Sequence, residues 1–342
     1  VPEDFYRPPT RTISWPPSTG RTATAVAAAD DSVCALLDNA TVKCWGDNAS
    51  GQLGLGDTND RGDNSGEMGD NLPAIDLGTG RSATAIAAGR WNMCALLDNA
   101  TVKCWGRNPD GQLGLGDTAN RGDNPGEMGD NPPAIDLGTG RTATAITAGE
   151  AHTCALLDDG TVECWGSNLY GMLGLGEHEN RGGGPGEMGD NLPTVDLGTG
   201  RTVTAMTAAG SSITCALLDN TTEKCWGFNS NGQLGLGDTT PRGRFPGEMG
   251  DNLPPVDLGT APGPGIVSGT VTESGSGTPV GGAWVAVLRS SDFSIAAGAV
   301  ADGSGNYQAE VPPGSYYLYV VDPSGAHTAG FHGPPTTVTV TS

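Results

Sequence analysis

A unit of sixty residues recurs four times along this chain, and nothing else in the sequence constrains the fold as much. Arg21, Arg81, Arg141 and Arg201 open the copies at intervals of 60, and Trp45, Trp105, Trp165 and Trp226 follow at 60, 60 and 61. Each copy carries "CALLDNATVKCWG" or a near variant, then "GQLGLGDT", an acidic glycine-rich stretch ending "GEMGDN", and finally "LPAIDLGTGR". A period of this size belongs to solenoids and propellers, where one unit cannot bury both of its faces and stacking makes the core.

The unit itself reads as β-structure. In the first copy the runs 22–28, 32–38, 41–46 and 74–77 are strand candidates, and a turn signal at 38–40 separates the second from the third. Gly160, at the end of that turn in the third copy, fits a three-residue loop whose last member has positive φ. With the loop there, Leu37 faces Thr41, Leu36 faces Val42, and Cys34 faces Cys44. The same register sets Cys94 opposite Cys104, Cys154 opposite Cys164, and Cys215 opposite Cys225. Each pair is expected to form a cross-strand disulfide, worth roughly 2–3 kcal/mol through the loop of about ten residues that it closes. A zinc site is the alternative, but structural zinc sites usually space their thiolates two to four residues apart. Here the gap is wider and no His is adjacent. Paired cysteines imply an oxidising compartment, so the chain is expected to be secreted, extracellular or at a cell surface.

Composition agrees. Gly (56) and Pro (24) are abundant and aromatics make only 5 %, which favours turns and short strands over helical packing. No apolar run is long enough to span a bilayer, so no membrane insertion is expected. The net charge of −22, from 39 acidic and 17 basic residues, argues against a nucleic-acid partner and favours solubility. The opening "VPEDFY", without Met, reads as a processed or truncated product.

The stretch "CALLDDGTVECWGSNLYGMLGLG" resembles the repeat of the regulator of chromosome condensation family in its bacterial extracellular form, and the resemblance runs through residues 21–259. It implies that each repeat is a four-stranded blade of a β-propeller. The Trp-Gly and Gln-Leu-Gly-Leu-Gly positions are then packing and turn residues. The family usually carries seven blades, whereas this chain has four repeats. The N-terminal "TRTISWPPSTGRTATAV" also matches "NLPAIDLGTGRSATAI", with Ile13 in the place of Ile75. This leaves a spare strand at Thr12, Ile13, Ser14 and Trp15. An unpaired edge is a template for pairing, so the region is expected to be an open arc or small ring that associates with copies of itself.

After residue 260 the repeat and the cysteines stop, and "GTAPGPG" reads as a linker. Apolar and polar residues then alternate over the runs 267–271, 283–288, 298–301, 307–311, 316–321 and 336–341, a β-sandwich pattern. "SGTV", "GTPVGGAWVAV" and "ADGSGNYQAEVPPGSYYLYV" resemble the carboxypeptidase regulatory-like (transthyretin-like) domain. Such domains act as stalks, spacers or adhesive modules. Without a single Lys, this one has no Lys–Asn crosslink. The expected architecture is therefore all-β. An N-terminal segment 1–20 precedes repeats 21–80, 81–140, 141–200 and 201–260, followed by a linker at 261–265 and a sandwich at 266–342.

Chemistry is sparse. No nucleophile motif, P-loop or dinucleotide fingerprint is present, and no enzymatic activity is expected. His152 stands where Asn92 and Ser32 stand in earlier copies and reads as a turn or surface residue; His327 and His332 read as exposed. The acidic stretch offers a weak Ca²⁺ candidate in Asp57, Asn59, Asp63 and Glu67, although Arg61 interrupts the ligand pattern; otherwise no cofactor is expected. The recurrent Glu67 and Met68 are expected to lock that loop onto its neighbour. The functional expectation is a non-enzymatic structural or adhesive protein that self-associates, with other extracellular proteins or glycans as further partners. The alternative is a protein-binding module, such as a secreted inhibitor or receptor, which would present aromatic and charged residues on one face. The variable positions Asp47, Arg107, Ser167 and Phe228, and Ala49, Pro109, Leu169 and Ser230, show no evident aromatic patch in sequence.

Overall fold

The computed structural model describes residues 20–210, 212–259, 265–322, 324–325, 330–331 and 338–340. The segment Thr12–Trp15 lies outside them, as do His327 and His332. The chain divides into two units, with the boundary at Asp257 and Leu258.

The first unit contains four blades, each a three-stranded antiparallel sheet in sequence order. Blade 1 is β1 (Ala23–Ala28), β2 (Ser32–Leu37) and β3 (Val42–Gly46). Blade 2 is β4 (Ala83–Ala88), β5 (Asn92–Leu97) and β6 (Val102–Gly106). Blade 3 is β7 (Ala143–Ala148), β8 (His152–Leu157) and β9 (Val162–Gly166). Blade 4 is β10 (Val203–Ala209), β11 (Ile213–Leu218) and β12 (Glu223–Gly227).

The hairpin register follows from its loop. Ala40, Ala100, Gly160 and Thr221 all take positive φ, between 61° and 79°, and Leu37 N–H donates to Thr41 O. Cys34 therefore faces Cys44, and the equivalent pair faces in every other blade. All four pairs are bonded, with Cα atoms 4.1 Å apart.

The fourth strand expected at 74–77 is an extended segment rather than a strand. One main-chain bond, from Ile75 N–H to Val42 O at 2.8 Å, holds it beside β3, and Ile135, Val195 and Val256 repeat the contact. Pro73 supplies no N–H to continue the ladder, and the Asp76 carboxylate accepts from Gly78 N–H and turns the chain away.

The cores lie between blades. Leu36, Val42, Leu53, Ile75 and the Cys34–Cys44 pair of blade 1 pack on Ala83, Met93, Leu97 and Trp105 of blade 2. The same arrangement joins blades 2 and 3, and blades 3 and 4. Three hydrogen-bond types reinforce each junction. Indole N–H groups reach back to the preceding blade: Trp105 to Gln52 O, Trp165 to Gln112 O and Trp226 to Met172 O, at 2.9–3.1 Å. Glycine loops reach forward: Gly56 N–H to Gly122 O, Gly116 to Gly182 and Gly176 to Gly243. Thr79, Thr139 and Thr199 donate to Asp130, Asp190 and Asp251 of the next blade. Gly51 must be glycine: at φ +77° its added Cβ would fall 2.3 Å from Asp123 N.

The second unit holds a two-stranded sheet and a larger one. β13 (Gly265–Thr270) therefore begins inside the segment read as a linker. β14 (Trp284–Arg289), β15 (Ile295–Val300), β16 (Asn306–Val311), β17 (Gly314–Val321), β18 (Gly330–Phe331) and β19 (Val338–Val340) follow. β13 pairs with β16; β14 lies between β15 and β17, and β17 also pairs with β18 and β19. Val267, Val285, Val287, Val311 and Leu318 share one core between the sheets.

Candidate functional site

One end of each blade gathers what the repeats do not share. The turn between the first and second strands and the loop after the third are clipped together by main-chain bonds: Asp47 N–H to Asp31 O, Arg107 to Trp91, Ser167 to Ala151 and Phe228 to Ser212. The repeat fixes this backbone and leaves its side chains free to vary. Blade 2 uses the freedom most. Trp91, half-buried, meets two guanidinium groups, with Arg90 4.1 Å and Arg107 4.7 Å from ring centroids of the indole. Such cation–π contacts hold an aromatic face in a fixed pose.

Arg90 also bridges blades. It pairs with Asp30 of blade 1 at 2.8 Å and with Glu150 of blade 3 at 2.6 Å. Glu150 N–H donates in turn to Gly210 O of blade 4. These inner turns line a cavity of about 460 Å³. Arg107 is exposed and has no acidic partner among the described residues, an uncompensated cation on a strongly acidic chain. In blades 3 and 4 Tyr170 and Phe228 meet at 4.6 Å between ring centroids, beside Leu169, which is 55 % exposed. The variable positions thus do present aromatic and cationic groups. The sequence reading missed this because Trp91 and Arg107 are sixteen residues apart and Tyr170 and Phe228 come from different repeats.

Asn59, Asp63 and Glu67 line one hollow together with Arg61, but the carboxylates of Asp57, Asp63 and Glu67 do not all converge to ligand distance of one another. Asp57 pairs with Arg61 at 2.7 Å and accepts from Asn59 N–H. Glu67 accepts from Gly62 and Asn64 N–H, and both contacts hold its carboxyl below the usual range. Asp63 bonds Asn64 instead. Arg61 supplies the positive charge that this loop needs, as Arg121 and Arg242 do in theirs. Glu67 therefore ties its own loop rather than a neighbour. The methionines do reach across: Met188 and Met249 join the cores between blades. Among the described residues, the one set of potential metal donors within ligand distance is Cys215, Glu223 and Cys225, whose sulfurs are joined to each other.

Three further positions differ from expectation or escaped it. His152 is buried rather than exposed, its ring against Gly149 and its Nε2 2.9 Å from Thr214 Oγ1. Burial pushes its pKa down to about 4. Asn48, Asn108, Asn168 and Asn229 are fully buried hubs; Asn48, for example, accepts from Leu53 N–H and donates to Asp57 O. Glu163 stands where other repeats have Lys. It is fully buried against Arg141 at 2.6 Å, and desolvation raises its pKa to about 7.

Comparison with known proteins places the repeat. Residues 23–52, 83–112 and 143–171 match one profile of the regulator of chromosome condensation (RCC1) repeat, and residues 101–156 match a second. The ultraviolet-B receptor UVR8 of Arabidopsis thaliana is 32 % identical over 210 residues, covering 61 % of this chain and 42 % of the receptor. The probable E3 ubiquitin-protein ligase HERC6 of Homo sapiens is 30 % identical over 201 residues, covering 59 % of this chain and 17 % of the ligase. The chain thus spans less than half the length of either relative. Among solved structures, Prp20p of Saccharomyces cerevisiae superposes with a TM-score of 0.50 at 16 % identity, over 93 % of this chain and 63 % of that one. That likeness concerns the fold alone. No helix among the described residues is long and apolar enough to cross a membrane.

Proposed function

From repeats of the regulator of chromosome condensation type, we propose that this chain is a protein-binding module whose contact face is the variable end of the blades. The Arg90–Trp91–Arg107 stack carries the reading. Trp, Tyr and Arg dominate binding hot spots, and here a Trp contacts two Arg on loops whose backbone the repeat holds constant. Tyr170, Phe228 and Leu169 extend the same kind of surface on blades 3 and 4. The net charge of −22 favours a protein or peptide partner with basic patches at its rim over a nucleic acid. Four bonded cysteine pairs support a working place in an oxidising compartment, outside the cytosol.

The test is capture of partners from the secreted proteins of the source organism, comparing the parent chain with Trp91→Ala and Arg107→Ala. A partner held by the parent is expected to bind Trp91→Ala at least roughly thirtyfold more weakly, the loss of about 2 kcal/mol usual for a hot spot. Equal capture by parent and variants would remove this face from the account. A second reading, a structural or adhesive subunit, rests on a different surface: the two blade faces that no neighbouring blade covers among the described residues.

A further inference from the structure

Every junction between blades has a rear half and a front half. The rear half is the Gly-Gln-Leu-Gly-Leu-Gly loop with the leucine of the second strand. The front half is the Trp with the first strand. Within the first unit and among the described residues, no blade packs behind blade 4 or before blade 1, so one rear half and one front half lack a blade partner there.

The unmade bonds can be named from the three made ones. Among the described residues Trp45 Nε1–H has no acceptor, while Trp105, Trp165 and Trp226 each find a carbonyl. The position equivalent to those acceptors on blade 4 is Gln233 O. A Cβ added at Gly237 meets nothing within 4 Å, whereas at Gly56, Gly116 and Gly176 it meets the next blade. The forward acceptor equivalent to Gly122, Gly182 and Gly243 is Gly62 O. The apolar surface tells the same story. Leu36, Leu96 and Leu156 are 6–7 % exposed, and Leu217 is 42 % exposed. Ile86, Ile146 and Met206 pack against the cores, and their counterpart Val26 is 69 % exposed.

We infer that the rear of blade 4 in one copy of this chain docks on the front of blade 1 in a second copy, head to tail. The two open faces are the halves of a junction the molecule already builds three times, so a second copy supplies each with its matching surface. Trp45 Nε1–H of one copy then donates to Gln233 O of the other, and Gly237 N–H to Gly62 O. The contact is heterologous; it closes into a ring of copies when the rotation allows and otherwise extends into a filament. It also differs from strand addition at residues 12–15, because it joins sheet faces rather than sheet edges.

The experiment is light scattering on the full chain over a concentration series, with Val26→Arg and Leu217→Arg. Both side chains are exposed, so the variants keep the fold, checked by circular dichroism. The parent is expected at twice the single-chain mass or more. Each variant alone is expected at single-chain mass, because one half of the contact is spoiled. An equal mixture of the two variants is expected to recover a pair, since Val26→Arg keeps its rear and Leu217→Arg its front. A parent that stays at single-chain mass, association that survives both substitutions, or a mixture that fails to pair would each overturn the inference.

Discussion

At the scale of single residues, blade 3 holds two buried ionisable side chains that lean in opposite directions. Glu163 is raised to about 7 from 4.5 and His152 is lowered to about 4 from 6.5. Glu163 takes up a proton in the folded state before the unfolded one, so stability from this residue rises as pH falls from 7 to 4.5. His152 must take up a proton against burial, so its contribution is lost as pH falls from 6.5 to 4. Each shift corresponds to about 3 kcal/mol, and the two oppose one another in the shared window. Urea unfolding from pH 7 to 4.5 is expected to show this by difference. Relative to the parent, Glu163→Gln loses about 3 kcal/mol on acidification, whereas His152→Asn gains nearly as much. Parallel curves would mean that neither group is buried as described. Neither feature was legible in the sequence. Glu163 differs from Lys43, Lys103 and Lys224 by one substitution, and its burial against Arg141 depends on the neighbouring segment. His152 looked like a turn residue because it shares a column with Ser32 and Asn92, which are themselves buried.

At the scale of the hairpin, the sequence was far more telling. A ten-residue spacing and a three-residue loop leave one register, and Cys34 faces Cys44 in it. The spacing says nothing of how deeply a pair is covered, because the cover comes from the next blade. Cys34, Cys94 and Cys154, with their partners, are at most 2 % exposed. Cys215 is half-buried on the uncovered rear of blade 4. In the Val26→Arg variant, whose blade 4 rear is left without a second copy, mild reductant followed by alkylation and mass spectrometry is expected to label Cys215 and Cys225 first, the other pairs only as the blades open. Simultaneous labelling would mean that blade 4 is covered too. The outermost segment of the blade was legible as apolar and extended, but its Pro and Asp keep it from becoming a strand.

For the molecule as a whole, the period implied units whose faces are buried only by stacking, and the cores lie between repeats accordingly. The period alone leaves open which residues meet across a junction, since any one repeat contains both halves, but the sharing of cores has an energetic consequence. It predicts near-additive energetics, each blade touching its sequence neighbours. Deleting residues 81–140 removes one repeat and joins like to like, so the shortened chain is expected to fold. Its urea m-value for the blade region should fall by roughly a third, because m scales with buried surface and one of three junctions is gone. Failure to fold would show that blade 2 holds the array together through Arg90 and its partners on blades 1 and 3.

The backward reach of the indole N–H groups has a temporal meaning. The carbonyl that each Trp needs was made more than fifty residues earlier, so it has left the ribosome before its donor does. Blades can therefore settle in the order of their synthesis, each upon a finished predecessor, and the nascent chain need not wait for its last blade before the first junction closes.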